Sequence, residues 1–340
     1  MRMKPVRFGL LGFGEWARWH ARFIRELPEA HLVAIADSDK KKREMAKKDF
    51  GIRTYSDYNE LIKKENLDVV DILLPNYLHH QAAMTALQSK CNVLVEKPMA
   101  LTVKDCESIL EFAQDKKPFL AIGFELRASS LWGRVKKLIQ GGKVGAVRAV
   151  NIEVFRFAPS IGSGGWRLNK DKVGSWMLDA PIHYFDLIRW YFEETGEPQS
   201  IYSSANSLSE KALVDNFSTI IKFSNKGYAV LSYSMAGYGY YVVAKVIGDK
   251  GALWAHWEED KENPFKAKFW LEYGQNKVKH KIVIEEPAGE IFDLKAEIKQ
   301  IVKVVQEGAP ILATGQDGKE AVRICLAAEE SLTTGEIIKL

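Results

Sequence analysis

From Val6 onward the chain repeats one unit: a short unbroken apolar run, then a longer stretch whose apolar residues recur at helical spacing. Val6–Leu11 is the first run, and 15–27 follows with Trp16, Trp19, Phe23 and Leu27 at helical intervals. The run 32–36 leads into a charged helix over 39–50, then a short segment around 52–55. Asp57 and Glu60 next have the spacing of a capping box. The runs 69–74 and 92–95 are separated by a helix from about His80 to Lys90. Thr102 and Asp105 open another helix, and 119–122 is a sixth run. Such alternation predicts a doubly wound α/β fold, a parallel sheet covered on both faces.

Beyond Gly123 the rhythm changes. A helix over about 129–140 ends at Gly141 and Gly142, and 147–157 alternates as a two-sided strand. Strand-like runs follow at 217–223, 229–235, 242–247, 268–273 and 278–284, mostly separated by turn residues rather than helices. That pattern predicts an open, mainly antiparallel sheet. A helix near 175–192 interrupts the series early, and helical patterns at 291–307 and 317–332 close the chain. A chain of 340 residues exceeds one ordinary core. Two domains are expected, 1–123 and 124–340, with the closing helix able to pack back on the first.

Composition narrows the function classes. Hydrophobic residues make up 46% and charged residues 27%, the values of a globular protein. The net charge of +4 is spread along the chain, and the run 40–43 reads as a solvated helix face. No basic-aromatic interleaving of a nucleic-acid binder is present, and no window approaches a membrane span. The three cysteines are far apart, which argues against a disulfide framework or a zinc site and for the cytoplasm.

The chemistry begins at the first turn. Gly12-Phe13-Gly14-Glu15-Trp16-Ala17 follows a strand and opens a helix, the context that gives a glycine pattern meaning. Gly12 allows the tight turn, Gly14 admits a pyrophosphate to the backbone, and Ala17 permits close helix–strand packing. Asp37 stands twenty positions beyond Ala17, at the end of the second strand, where a carboxylate accepts from ribose hydroxyls. Gly12, Phe13, Gly14, Trp16, Asp37 and Ser38 thus outline a dinucleotide cradle. A carboxylate there favours NAD over NADP, although Ser38 and the basic run 40–43 keep a 2′-phosphate within reach.

Pro75-Asn76-Tyr77-Leu78-His79 and Glu96-Lys97-Pro98 fall where further parallel strands end, the edge at which such folds bind ligands. Lys97 suits donation to a substrate oxygen or proton transfer, or else simply snorkels from the sheet edge. His79 reads equally as a ligand contact and as the first residue of a helix, and Glu96 equally as a site residue and as a partner for a neighbouring cation. Farther on, Asp179 and His183 are four apart, a spacing that shares one helix face. An imidazole accepts an alcohol's proton near neutral pH. Pro181 between them moves the helix start, so Asp179 is either a catalytic residue or a cap.

In this order the motifs resemble the Gfo/Idh/MocA family over most of the chain. The likeness runs from Gly12-Phe13-Gly14 through Pro75-Asn76, Glu96-Lys97-Pro98 and Trp166-Arg167 to Asp179 and His183. It continues into Ile247-Gly248-Asp249-Lys250-Gly251 and the helix at Asp317-Gly318. The resemblance implies a Rossmann domain followed by an α/β domain whose open sheet serves oligomerisation, as a homodimer or homotetramer. It implies a catalytic group of Lys97, Asp179 and His183, with Asn76 and Glu96 near the nicotinamide ribose, and a cis Lys97–Pro98 bond. The expected reaction is hydride transfer between NAD(P) and a carbinol carbon of a sugar, sugar derivative or cyclitol. Arg127, Arg156 and Arg167, with Trp166, are further candidates for the substrate, the arginines for an acidic group on it. Two other readings remain: a cofactor-binding regulator without catalysis, and a glycoside-cleaving enzyme working through transient oxidation.

Overall fold

The computed structural model describes residues 4–113, 118–157, 163–207, 214–235, 239–263 and 265–340. The chain divides into two compact units. The first comprises Met1–Glu125, Ser163–Gly174 and Leu294–Val322, and the second Leu126–Gly162, Ser175–Asp293 and Arg323–Leu340. Beyond the expected boundary at 123/124 the chain returns to the first unit twice, the second time with the start of the closing helix.

The first unit is built on six parallel strands: β1 (Val6–Leu11), β2 (Ala30–Ala36), β3 (Arg53–Tyr55), β4 (Val69–Ile72), β5 (Asn92–Glu96) and β6 (Leu120–Gly123). Their order is β3-β2-β1-β4-β5-β6, so the winding reverses between β1 and β4. There the strand ends leave a crevice suited to ligands. β4 is buried along its whole length, which is why it reads as an apolar run rather than an alternating one. The helix Glu15–Glu26 buries Ala17, His20, Ala21, Phe23 and Ile24, whereas Trp16 and Trp19 stay half-buried. Of the residues read at helical spacing, Phe23 lies on the buried stripe, whose other positions include the small Ala17 and Ala21. The start of the closing helix Gly315–Thr334 lies against β6. A Cβ on Gly318 would come within 2.9 Å of Ile122, and Ala121 bridges Thr314.

The second unit carries nine strands: β7 (Val147–Phe155), β8 (Pro198–Asn206), β9 (Asn216–Phe223), β10 (Tyr228–Ser234), β11 (Tyr241–Gly248), β12 (Ala252–Glu258), β13 (Lys268–Gln275), β14 (Val278–Ile282) and β15 (Ile338–Lys339). They follow the order β14-β13-β12-β11-β7-β10-β9-β8-β15. All neighbours are antiparallel except β7 and β10, so the sheet is mixed. One face packs against the helices Trp132–Gln140 and Ile182–Phe192, with Phe192 stacked on Phe223. On the opposite face Phe155, Tyr241, His256 and Trp270 form a ladder of stacked rings across β7, β11, β12 and β13. The predicted helix 175–192 is in fact two pieces, Trp176–Asp179 and Ile182–Phe192, because Pro181 takes the N-cap position of the second. No helix among the described residues is long and apolar enough to cross a membrane.

Candidate active site

The first turn is built for close backbone approach. Gly12 has φ +96°, and a Cβ there would stand 2.6 Å from the Leu73 carbonyl oxygen, so no side chain fits. A Cβ on Gly14 would meet nothing within 4 Å, and Gly14 caps the helix Glu15–Glu26 without any side-chain acceptor. Open space beside a helix start that no side chain caps suits a pyrophosphate. Asp37 braces the same edge: Oδ2 accepts from Phe13 N at 2.8 Å and Oδ1 from Asp39 N at 2.8 Å. These bonds fix the carboxylate while each oxygen keeps acceptor capacity for a ribose hydroxyl. Ser38 is exposed beside it. The Arg43 guanidinium donates to the carbonyls of Asp37 and Ser38, at 2.7 and 2.8 Å, which engages one of the nearby cations locally.

At the next strand ends the residues divide. Pro75 leads into a single turn of 3-10 helix, Asn76–Leu78, and the buried Asn76 donates to Val173 O at 3.2 Å. His79 opens the helix His79–Gln88 and is fully engaged. Its two ring nitrogens lie 2.7 Å from the carbonyls of Pro98 and Leu74, which leaves no ring nitrogen for a cofactor. His79 is therefore a scaffold residue, and the helix-start alternative was the better one. Lys97 follows β5 half-buried, and the Lys97–Pro98 bond is cis.

Glu96 belongs to a buried cluster that the sequence reading missed. It accepts from Trp16 Nε1 at 3.0 Å and lies 3.4 Å from His20 Nε2, while His20 Nδ1 is 2.8 Å from Asp71 Oδ2. Burial alone would lower the His20 pKa, but Asp71 first and Glu96 second outweigh it and raise it to about 10. Because the folded value lies above the ordinary 6.5, this stabilisation is complete below about pH 6.5 and lost as pH rises through about 10. The melting temperature is therefore expected to fall between pH 7 and pH 10.5, and the slope to flatten in His20→Gln. Two signals pointed here: an aspartate inside the apolar run 69–74, and a histidine four residues after Trp16.

In the second unit, Asp179 is buried at the end of its helical turn, and His183 is half-buried in the first turn of Ile182–Phe192. Asp179 does not cap that helix, whose N-cap has no side-chain hydrogen bond. Arg127 is a correction. Its Nε and one terminal nitrogen donate to the two oxygens of Asp186 at 2.8 and 2.6 Å, with both side chains buried. It is an internal ion pair and not a substrate contact. Arg156 lies 4.8 Å from the centre of the Tyr240 ring and 4.0 Å from Glu290. Trp166 and Arg167 fall in the first unit, with the guanidinium 5.2 Å from the indole centre.

A family model for an oxidoreductase family with an NAD-binding Rossmann fold matches residues 6–124, and a Gfo/Idh/MocA C-terminal domain model matches 132–254. The chain belongs to the Gfo/Idh/MocA oxidoreductase family. It is 26% identical to a myo-inositol 2-dehydrogenase of Thermotoga maritima over 98% of each chain. It is 28% identical to an inositol 2-dehydrogenase of Rhizobium meliloti, over 96% of this chain and 97% of the other. Among solved structures, a putative myo-inositol dehydrogenase from Sinorhizobium meliloti is 25% identical with a TM-score of 0.82, covering 98% of this chain and 99% of the other. A Rossmann sheet with a second, mainly antiparallel sheet is the fold that the strand pattern predicted. As a member of this family the protein is an NAD(P)-dependent oxidoreductase with an NAD-binding Rossmann fold.

Proposed function

We propose that the protein is a dehydrogenase that moves hydride between NAD and a carbinol carbon of a neutral cyclitol or sugar. The observation that carries this reading is the full-length likeness to inositol 2-dehydrogenases, together with Glu96 at the end of β5, in the same sheet as the dinucleotide cradle, and Lys97 directly after it. When bound, the nicotinamide supplies the hydride acceptor or donor. In oxidation His183 takes the hydroxyl proton, Asp179 orients the imidazole or the substrate, and Lys97 donates to the reacting oxygen and stabilises developing negative charge. Asn76 and Glu96 contact the nicotinamide ribose in this reading. A neutral substrate is favoured because Arg127 is engaged by Asp186 and Arg156 has Glu290 beside it.

The experiment is nicotinamide absorbance with NAD and NADP against a panel of cyclitols, sugars and sugar acids. NADH formation with a neutral polyol is the expected result. Cofactor binding with no turnover on any of them would replace it with the regulatory reading, and cleavage of a glycoside without net NADH with the hydrolytic one. NAD should bind at least about tenfold more tightly than NADP, since the braced Asp37 carboxylate repels a 2′-phosphate. Titration calorimetry with Asp37→Ser, in which the preference narrows, checks the cause.

The open face of the nine-stranded sheet, with Tyr202, Ile220, Tyr228, Ile247 and Trp270 exposed, supports a homodimer or homotetramer formed through it. Light scattering in solution gives the count. Three buried free cysteines suit the reducing cytoplasm.

A further inference from the structure

His20 has no exposed surface, yet it sits between two carboxylates on neighbouring strands, Asp71 on β4 and Glu96 on β5. A neutral imidazole offers a single N–H. With a carboxylate at each ring nitrogen, only the imidazolium presents a donor to both. A neutral ring would turn a lone pair onto one buried carboxylate and leave two negative charges without a cation between them.

Glu96 is held by one oxygen. Oε1 takes the Trp16 indole N–H and faces His20 Nε2, while Oε2 enters no hydrogen bond among the described residues. Gly123 on β6 makes the room, since a Cβ there would stand 2.9 Å from Oε1. The carboxylate keeps a narrow opening, with 12% of the side chain exposed. Trp16 lies in the first turn of the helix that Gly14 caps, so the anchored oxygen is tied directly to the dinucleotide cradle.

We propose that His20 is a positioning residue of the coenzyme site: an imidazolium locked between Asp71 and Glu96 that keeps Glu96 ionised and fixed by Oε1, so that Oε2 serves as a ready acceptor for a hydroxyl of the bound dinucleotide. The inference rests on reading the Gly12–Gly14 edge as the dinucleotide site and is independent of whether Lys97 is catalytic. Burial pushes the Glu96 carboxyl up, but the nearby His20 ring, then the Lys97 charge and the Trp16 hydrogen bond, outweigh it and leave it below its ordinary value. The other titratable groups of the cluster are Asp71, whose carboxyl burial pushes up against the pull of His20, and His79, whose pKa burial lowers.

The test has two readouts, and the first needs no cofactor. In 15N-histidine-labelled protein, the His20 ring, assigned by its loss in His20→Gln, should show both nitrogens protonated from pH 6 to pH 8.5. A neutral tautomer at pH 8 overturns the proposal. The second is NAD affinity by calorimetry without substrate. His20→Gln and Glu96→Gln should each weaken NAD about tenfold, and the double variant should be no weaker than Glu96→Gln alone. Unchanged affinity in His20→Gln, additive losses, or an effect confined to the substrate KM overturns it. Should His20→Gln fail to fold, Asp71→Asn takes its place in both arms. His20 should then lose its proton below pH 9, with NAD affinity falling across the same midpoint. A titrating His20 with flat affinity overturns the proposal.

Discussion

Replacing Lys97 with methionine is expected to lower kcat about a thousandfold while NAD affinity stays within about threefold. Methionine keeps most of the stem and its packing but removes the ammonium group. The dinucleotide contacts expected at Gly12, Gly14 and Asp37 do not involve that group, so coenzyme binding should survive. The loss belongs to the reacting oxygen, where a positive donor matters most as charge develops and least in the ground state. The substrate KM should accordingly move little. Steady-state kinetics with the best polyol, paired with calorimetry for NAD, separate the two effects. A variant that keeps more than about a tenth of its turnover with normal NAD binding would remove Lys97 from the chemistry, because even one oxyanion donor is worth about a hundredfold.

What could be read from the sequence follows from how locally each feature is determined. The six parallel strands were legible because their middle members are buried on both faces, and unbroken apolar runs result. Gly12 was legible because a positive φ in a strand–helix turn demands glycine. Strands β8 and β12 were not. β8 opens with Pro198 and carries Ser200, Ser203 and Ser204, so it owes its place to pairing with β9 rather than to its own propensity. β12 does alternate, with Leu253, Ala255 and Trp257 buried, but it lies between charged segments. The break at Pro181 was half legible: proline announced a helix start, and only the fold shows that Asp179 ends a separate turn instead of capping. Buried charge was the least legible of all. Whether His20 or Arg127 faces a ligand or an internal carboxylate depends on partners 51 and 59 positions away, which no local spacing encodes.

Arg127 gives that point its sharpest test. Its guanidinium forms a two-pronged bond to Asp186, the two side chains are 1% and 2% exposed, and its carbon lies 5.0 Å from the Trp190 ring centre. Arg127→Met fills much of the volume but leaves Asp186 without its bidentate partner in a place from which water is excluded. Breaking a buried pair from one side costs about 3–5 kcal/mol, enough to lower the melting temperature by about 10 °C. Replacing both partners, as Arg127→Met with Asp186→Leu, removes the stranded charge and should recover most of the loss. A substrate contact would behave in the opposite way. It would leave the melting temperature nearly unchanged, raise KM for acidic substrates selectively, and gain nothing from the second substitution. Thermal melts of the single and double variants, with KM measured well below the midpoint, therefore distinguish an arginine that holds the second unit together from one that reads the substrate.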